Sequence, residues 1–110
     1  MPTNYKVLGQ SAPATTSDAD LYTVGAGKEA VISTLTVTND SGTAATGRIY
    51  VRVGGAAAAL TNALVYDMSF AANSVTGFTF GITLSATDII TVQTGTANAL
   101  TFMAFGSEIS

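Results

Sequence analysis

Residues 30–38, Ala-Val-Ile-Ser-Thr-Leu-Thr-Val-Thr, constrain the fold more than any other stretch of the chain. They are rich in β-branched residues and contain neither proline nor glycine. Such a run packs well on a pleated sheet and loses side-chain freedom in a helix. The alternation predicts a strand with Val31, Ser33, Leu35 and Val37 toward a core and Thr34, Thr36 and Thr38 toward solvent. Ile32 breaks that pattern, which predicts cover on both faces at that end. A shorter strand, residues 21–24, precedes it. The turn Gly25-Ala26-Gly27-Lys28 between them reads as a hairpin turn.

Further strands alternate in the same way. In residues 47–53, Ile49, Val51 and Val53 face one side, and Arg48, Tyr50 and Arg52 the other. The second face holds half of the four cations, Lys6, Lys28, Arg48 and Arg52. It is either a solvated face with a cross-strand carboxylate or a contact surface, since Arg and Tyr are enriched at interface hot spots. Residues 63–70 place Leu64, Tyr66, Met68 and Phe70 opposite Val65, Asp67 and Ser69. Residues 75–82 carry Phe78, Phe80 and Ile82 on one face, and Gly77 and Gly81 predict a bulge or close backbone approach. Residues 89–94 and 99–109 complete the set. The last strand carries Leu100 and Phe102 on one face and Met103 and Phe105 on the other. It is therefore central between two covered faces, or part of a subunit contact.

Residues 5–10 form a possible short strand. Residues 11–20, small and polar with Pro13, read as a surface connection or as an arm packing on a neighbouring subunit. Residues 54–60 read as a loop with a helical turn at most, because four alanines are too few to hold a helix unaided. Turn signals recur every 8 to 14 residues and no amphipathic helix appears. The chain is predicted to be all-β, an antiparallel β-sandwich of about eight strands with jelly-roll-like or Greek-key connections. At 110 residues it is expected to form one domain over residues 1–110, with residues 1–20 a possible N-terminal arm.

The totals exclude several functions. Charged residues are 10% of the chain, against about 25% in typical domains. Four cations and a net charge of −3 leave no electrostatic footprint for nucleic acid. There is no cysteine and no histidine. That removes thiolate metal sites, the commonest metal ligand and the usual general base near neutral pH. A hydrolase triad therefore has no base. Of the seven carboxylates, Asp18, Asp20, Glu29, Asp40, Asp88 and Glu108 sit at turns or ends, and only Asp67 lies mid-strand. No glycosidase pair emerges. Asp18-Ala19-Asp20 lacks the rest of a calcium loop. Gly25-Ala26-Gly27-Lys28 lacks phosphate-loop spacing and a following helix. No catalytic, cofactor-binding or metal-ligating residue is expected, and no small-molecule substrate. No apolar run reaches the ~20 residues that span a bilayer. The N-terminal residues lack the pattern of a signal peptide, which predicts a complete product made in the cytoplasm.

Tyr5-Lys6-Val7-Leu8-Gly9-Gln10 is followed by Leu21-Tyr22-Thr23-Val24-Gly25-Ala26-Gly27-Lys28 and a Val/Ile-rich strand ending at Asn39. Residues 82–92 and 102–110 carry an Ile-Thr-Leu…Asp…Ile-Thr-Val run and a Phe-x-Ala-Phe-Gly-x-Glu-Ile-Ser end. In this order the segments resemble small tailed-bacteriophage virion proteins, over nearly the whole chain. Gly25 departs from the proline usual in that pattern, which loosens the turn. The resemblance implies a virion structural protein: a capsid decoration or cement protein, or a small tail-associated component. A decoration protein would assemble as a homotrimer, bind the major capsid protein on the outside of the shell and reside in the virion. The alternative is a receptor- or glycan-binding module of a tail tip or fibre. The candidate contact residues are Tyr5, Lys6, Arg48, Tyr50, Arg52, Met103 and Phe105.

Overall fold

The computed structural model describes residues 3–110. Nine strands follow one another: β1 (Thr3–Ser11), β2 (Ala19–Thr23), β3 (Glu29–Asn39), β4 (Ala45–Arg52), β5 (Ala63–Phe70), β6 (Ser74–Phe78), β7 (Ile82–Leu84), β8 (Ile89–Thr94) and β9 (Leu100–Ile109). One sheet has the order β1-β9-β3-β6, with β7 also on β3; the other has the order β2-β8-β4-β5. All pairings are antiparallel. Strands β6 and β7 pair with successive parts of β3, so they are one strand broken at residues 79–81. Gly81 in the break has φ of +66°, which glycine adopts without a Cβ penalty. Eight strand positions in two four-position sheets, with most connections crossing between them, make a jelly roll.

That topology corrects one local reading. The turn at residues 25–28 does close with Lys28 N–H donating to the Gly25 carbonyl at 3.2 Å, and Gly27 has φ of +74°. It is not a hairpin turn, because β2 and β3 lie in different sheets. It is a corner, held to the β7–β8 turn by Val24 N–H on the Asp88 carbonyl at 3.0 Å and Thr87 N–H on the Val24 carbonyl at 3.1 Å.

Ile32 is explained by a bulge. Pairing of β3 with β9 slips between Ile32 and Thr34. Before the slip Ala30 and Ile32 are buried; after it Leu35, Val37 and Asn39 are. One extra residue reverses the side-chain parity. Val31 and Ser33 therefore do not face the core, and Ser33 is exposed. The Ser33 hydroxyl donates to the Phe105 carbonyl at 3.2 Å. Strand β5 does the same: Gly47 pairs with Met68, but Ile49 pairs with Val65. Asp67, with φ of +53°, absorbs the extra residue, so Val65 joins Phe70 in the core and Leu64 and Tyr66 do not.

The core is one cluster built from both sheets, with Ile32, Leu35, Val37, Ile49, Phe70, Ile90, Val92, Leu100 and Phe102 at its centre. Fully burying each such side chain contributes about 1.5–3 kcal/mol. Asn39 is buried yet satisfied. Its amide donates to the Thr43 and Phe70 carbonyls at 3.0 Å each, and its oxygen accepts from Ser41. Residues 3–11 are an edge strand of the first sheet rather than a detached arm, and residues 12–18 connect it to β2.

The bulge yields a paired prediction. A Cβ at Gly106 would collide with the Val31 carbonyl oxygen and approach Ile32 Cα to 3.0 Å, whereas a Cβ at Gly77 meets nothing within 4 Å. Urea denaturation is expected to show Gly106→Ala destabilised by about 1–3 kcal/mol. Gly77→Ala is expected to be neutral or more stable by up to ~1 kcal/mol.

Candidate interaction surface

Three strands and a corner meet at Glu108. It points inward from β9 and is largely buried. Tyr22 of β2 donates its hydroxyl to it at 2.6 Å, Lys6 of β1 lies at 3.2 Å and Lys28 of the corner at 3.5 Å. The bond from Tyr22, then that from Lys6, holds the Glu108 carboxyl down at about 2, from an ordinary 4.5. Burial, and then Glu108 itself, pushes the Tyr22 hydroxyl up. The cluster ties the two sheets together. Lys6 is thus engaged within the fold, while its side chain stays about half exposed.

Register places Tyr5, Val7 and Gln10 of β1 beside Ser107, Phe105 and Met103 of β9, all on the outer face of the first sheet. Val31, Thr34, Thr36 and Thr38 of β3 continue that face. Tyr5 is 86% exposed and Val7 48%. Met103 and Phe105 are half-buried among their neighbours. Strand β9 is central within its sheet, between β1 and β3, but not between two covered faces: its outward side chains reach the surface. Among the strand residues facing outward here, Glu29 is the one charged side chain. Tyr5, Met103 and Phe105, singled out from sequence, are therefore brought together.

The outer face of the second sheet differs. Arg48 donates to both Asp67 oxygens, at 2.6 and 3.1 Å, and lies 4.1 Å from the centre of the Tyr66 ring. The bond to Asp67 raises the Arg48 pKa and lowers that of Asp67. Arg52 donates to Asp20 at 3.3 Å, to Thr91 at 3.1 Å and to the carbonyls of Gly55 and Ala56. The cross-strand carboxylate reading of this face is the one realised. Tyr50 is only 4% exposed, beneath Arg48, and is not available as a contact. Asp20, half of the acidic pair, is taken up by Arg52 and Thr91.

A second apolar region was not anticipated. Eight large apolar side chains are exposed among the described residues. Five of them, Val53, Leu60, Leu64, Tyr66 and Met68, lie on edge strand β5 or in the β4–β5 connection. A cleft of about 320 Å³ opens there between Val51, Val53, Asn62 and Leu64. The alternation of residues 63–70 placed Leu64, Tyr66 and Met68 with Phe70 on one core-facing side; the bulge leaves Met68 on the Phe70 side at the sheet edge and turns Tyr66 outward under Arg48.

No family model matches the sequence. No curated protein matches it. Solved structures do resemble the fold. A chain of the infectious bursal disease virus Gx strain superimposes with a TM-score of 0.51 and 16% identity, over 97% of this chain and 31% of that one. A chain of the Gt strain gives 0.46 and 13%, over 96% and 32%. The protein spans about a third of these longer chains. At such identity the likeness to the Gx chain concerns the fold. Both are structures of a virus, and neither is of a tailed bacteriophage.

The Glu108 cluster sets an acid response. Lowering of a folded-state carboxyl pKa contributes stability above the ordinary value, and that contribution fades as pH falls toward the folded value. The melting temperature is expected to drop between pH 4.5 and 2, the window between the two values. Glu108→Gln should start lower at neutral pH and show a shallower drop, read by circular dichroism melts. An equally steep drop in the variant would place the acid sensitivity elsewhere.

Proposed function

We propose that the chain is a virion structural protein, and more finely a capsid decoration or cement protein of a tailed bacteriophage. It binds the outside of the shell as a homotrimer, with the major capsid protein as its partner, and stabilises the shell by bridging its subunits. The observation that carries this reading is the outer face of the β1-β9-β3-β6 sheet: Tyr5, Val7, Met103 and Phe105 among threonines, with almost no charge. Burying such a face against another protein desolvates no unpaired ion. The jelly roll itself, a recurrent capsid architecture, and the fold likeness to a chain of a virus support the same direction. The order of sequence segments supports the bacteriophage assignment.

The glycan-binding alternative calls for exposed aromatics converging in a groove. The exposed aromatic residues, Tyr5 and Tyr66, lie on different sheets. Virion copy number separates the readings, with hundreds of copies expected for a decoration protein and a handful for a tail tip.

Adding the purified protein to shells that lack it is expected to raise their melting temperature in scanning calorimetry. Tyr5→Asp should abolish the gain without altering the protein's own melt. Unchanged shell melting with the wild-type chain would refute the cement role.

A further inference from the structure

We propose that a cleft at Glu29 receives one lysine or arginine side chain of the protein that covers the outer face of the first sheet. The cleft has a volume of about 320 Å³, and its lining includes Glu29, Val31, Thr83, Ser85 and Ile109. Ligand clefts begin at about 300 Å³, so the space suits a single side chain.

Register fixes its position. One row of residues runs Tyr5, Ser107, Val31 and Thr83 across β1, β9, β3 and β7. The next row runs Thr3, Ile109 and Glu29. Val31 lies two strand spacings from Tyr5, about 10 Å. The cleft therefore continues the surface that holds Tyr5, and a partner laid on Tyr5 extends over Glu29.

Charge then selects what the partner brings. The apolar part of this face carries no ion; Glu29, at its end, is the exception. None of the four ion pairs among the described residues includes it, and it is exposed. Water solvates its carboxylate in the free chain. A partner that covers it without a cation strips that solvation and returns nothing, whereas one that places a cation there gains a charge-assisted bond. The rest of the lining defines the cation. One carboxylate and two hydroxyls are too few oxygens to cage calcium. Val31 and Ile109 offer apolar walls to a methylene stem. The head of a lysine or arginine then donates to Glu29, with the Thr83 and Ser85 hydroxyls as further acceptors.

The cation comes from a chain of different sequence. Lys6, Lys28, Arg48 and Arg52 are each bonded to a carboxylate of their own molecule. A second copy would have to give up one of its own bonds to fill the cleft. This inference rests on the shell-binding reading for the identity of the partner, but its first test needs no shells, so the two fail separately.

Butylamine and butylguanidinium serve as probes of the two side-chain heads, followed by amide chemical shifts of the labelled chain. At least one should shift Val31, Thr83 and Ser85 saturably at millimolar concentration, and butanol, the neutral control, should not. Glu29→Gln should weaken that binding roughly fivefold or more. Asp40→Asn, the same change of charge in the β3–β4 turn, should leave it unchanged. On shells, Glu29→Gln should bind roughly tenfold more weakly and Glu29→Lys not at all, both with the free chain's melt unaltered. Asp40→Asn should bind shells as wild type does. Absence of saturable shifts at the cleft overturns the proposal, as do shifts that persist in Glu29→Gln. Shell binding indifferent to Glu29→Gln also overturns it. A wild-type chain that binds amines at the cleft but not shells refutes the cement role and leaves the cation site standing.

Discussion

Strand β3 holds its apolar residues in the core only because it gains a residue at Ser33. It pairs with β9, β6 and β7, so its register sets that of the whole first sheet. Without the bulge, either Ala30 and Ile32 or Leu35 and Val37 would turn out of the core. Gly106 opposite makes the bulge possible by leaving room for the Val31 carbonyl. The same slip keeps β9 in phase throughout. Leu100, Phe102, Ala104 and Glu108 all point inward, while Met103 and Phe105 point out. One backbone irregularity thus determines both what is buried and what the outer face displays.

The two sheets then serve different ends. The outer face of β2-β8-β4-β5 is occupied by its own ion pairs: Arg48 with Asp67, Arg52 with Asp20. Exposed pairs of this kind contribute little to stability, about 0–1 kcal/mol. Each arginine is held by partners within its own chain. The first sheet has no such network on its outside, and its one buried carboxylate is turned inward to Tyr22, Lys6 and Lys28. The four cations are all engaged in pairs, while Asp18, Glu29 and Asp40 stay exposed on a surface otherwise rich in threonine, serine and glycine.

Much of the fold was legible because alternation, β-branching and turn residues all pointed to short antiparallel strands. Residues 47–52 and 89–94 pair without a slip, with Ile49 inward as read. Tyr50 and Thr91 on the outer side are buried too, and Val53, read with Ile49 and Val51, lies past the strand end and is exposed. Residues 30–38 and 63–70 do not pair so evenly, since a bulge reverses parity midway; Ile32 and Asp67 were the visible traces of it. The glycine corner at residues 25–28 looked like a hairpin because local turn chemistry does not reveal which sheet the next strand joins. Among the candidate contact residues, Tyr5, Met103 and Phe105 were legible as apolar side chains outside the core, and the structure places them together. The engagement of Lys6 with Glu108 and of Tyr50 with Arg48 was not legible, because those partners lie on strands whose neighbours only the tertiary fold defines. The outward turn of Tyr66 was hidden by the bulge at Asp67 that causes it.

The central claim is that the outer face of the β1-β9-β3-β6 sheet is covered when the protein assembles. Hydroxyl-radical footprinting reads it most directly, because Tyr, Met and Phe side chains are the reactive ones and that face carries Tyr5, Met103 and Phe105. Oxidation of these three should fall when the chain is bound in its particle. Undiminished oxidation of Tyr5 and Met103 in the assembled state would contradict the account.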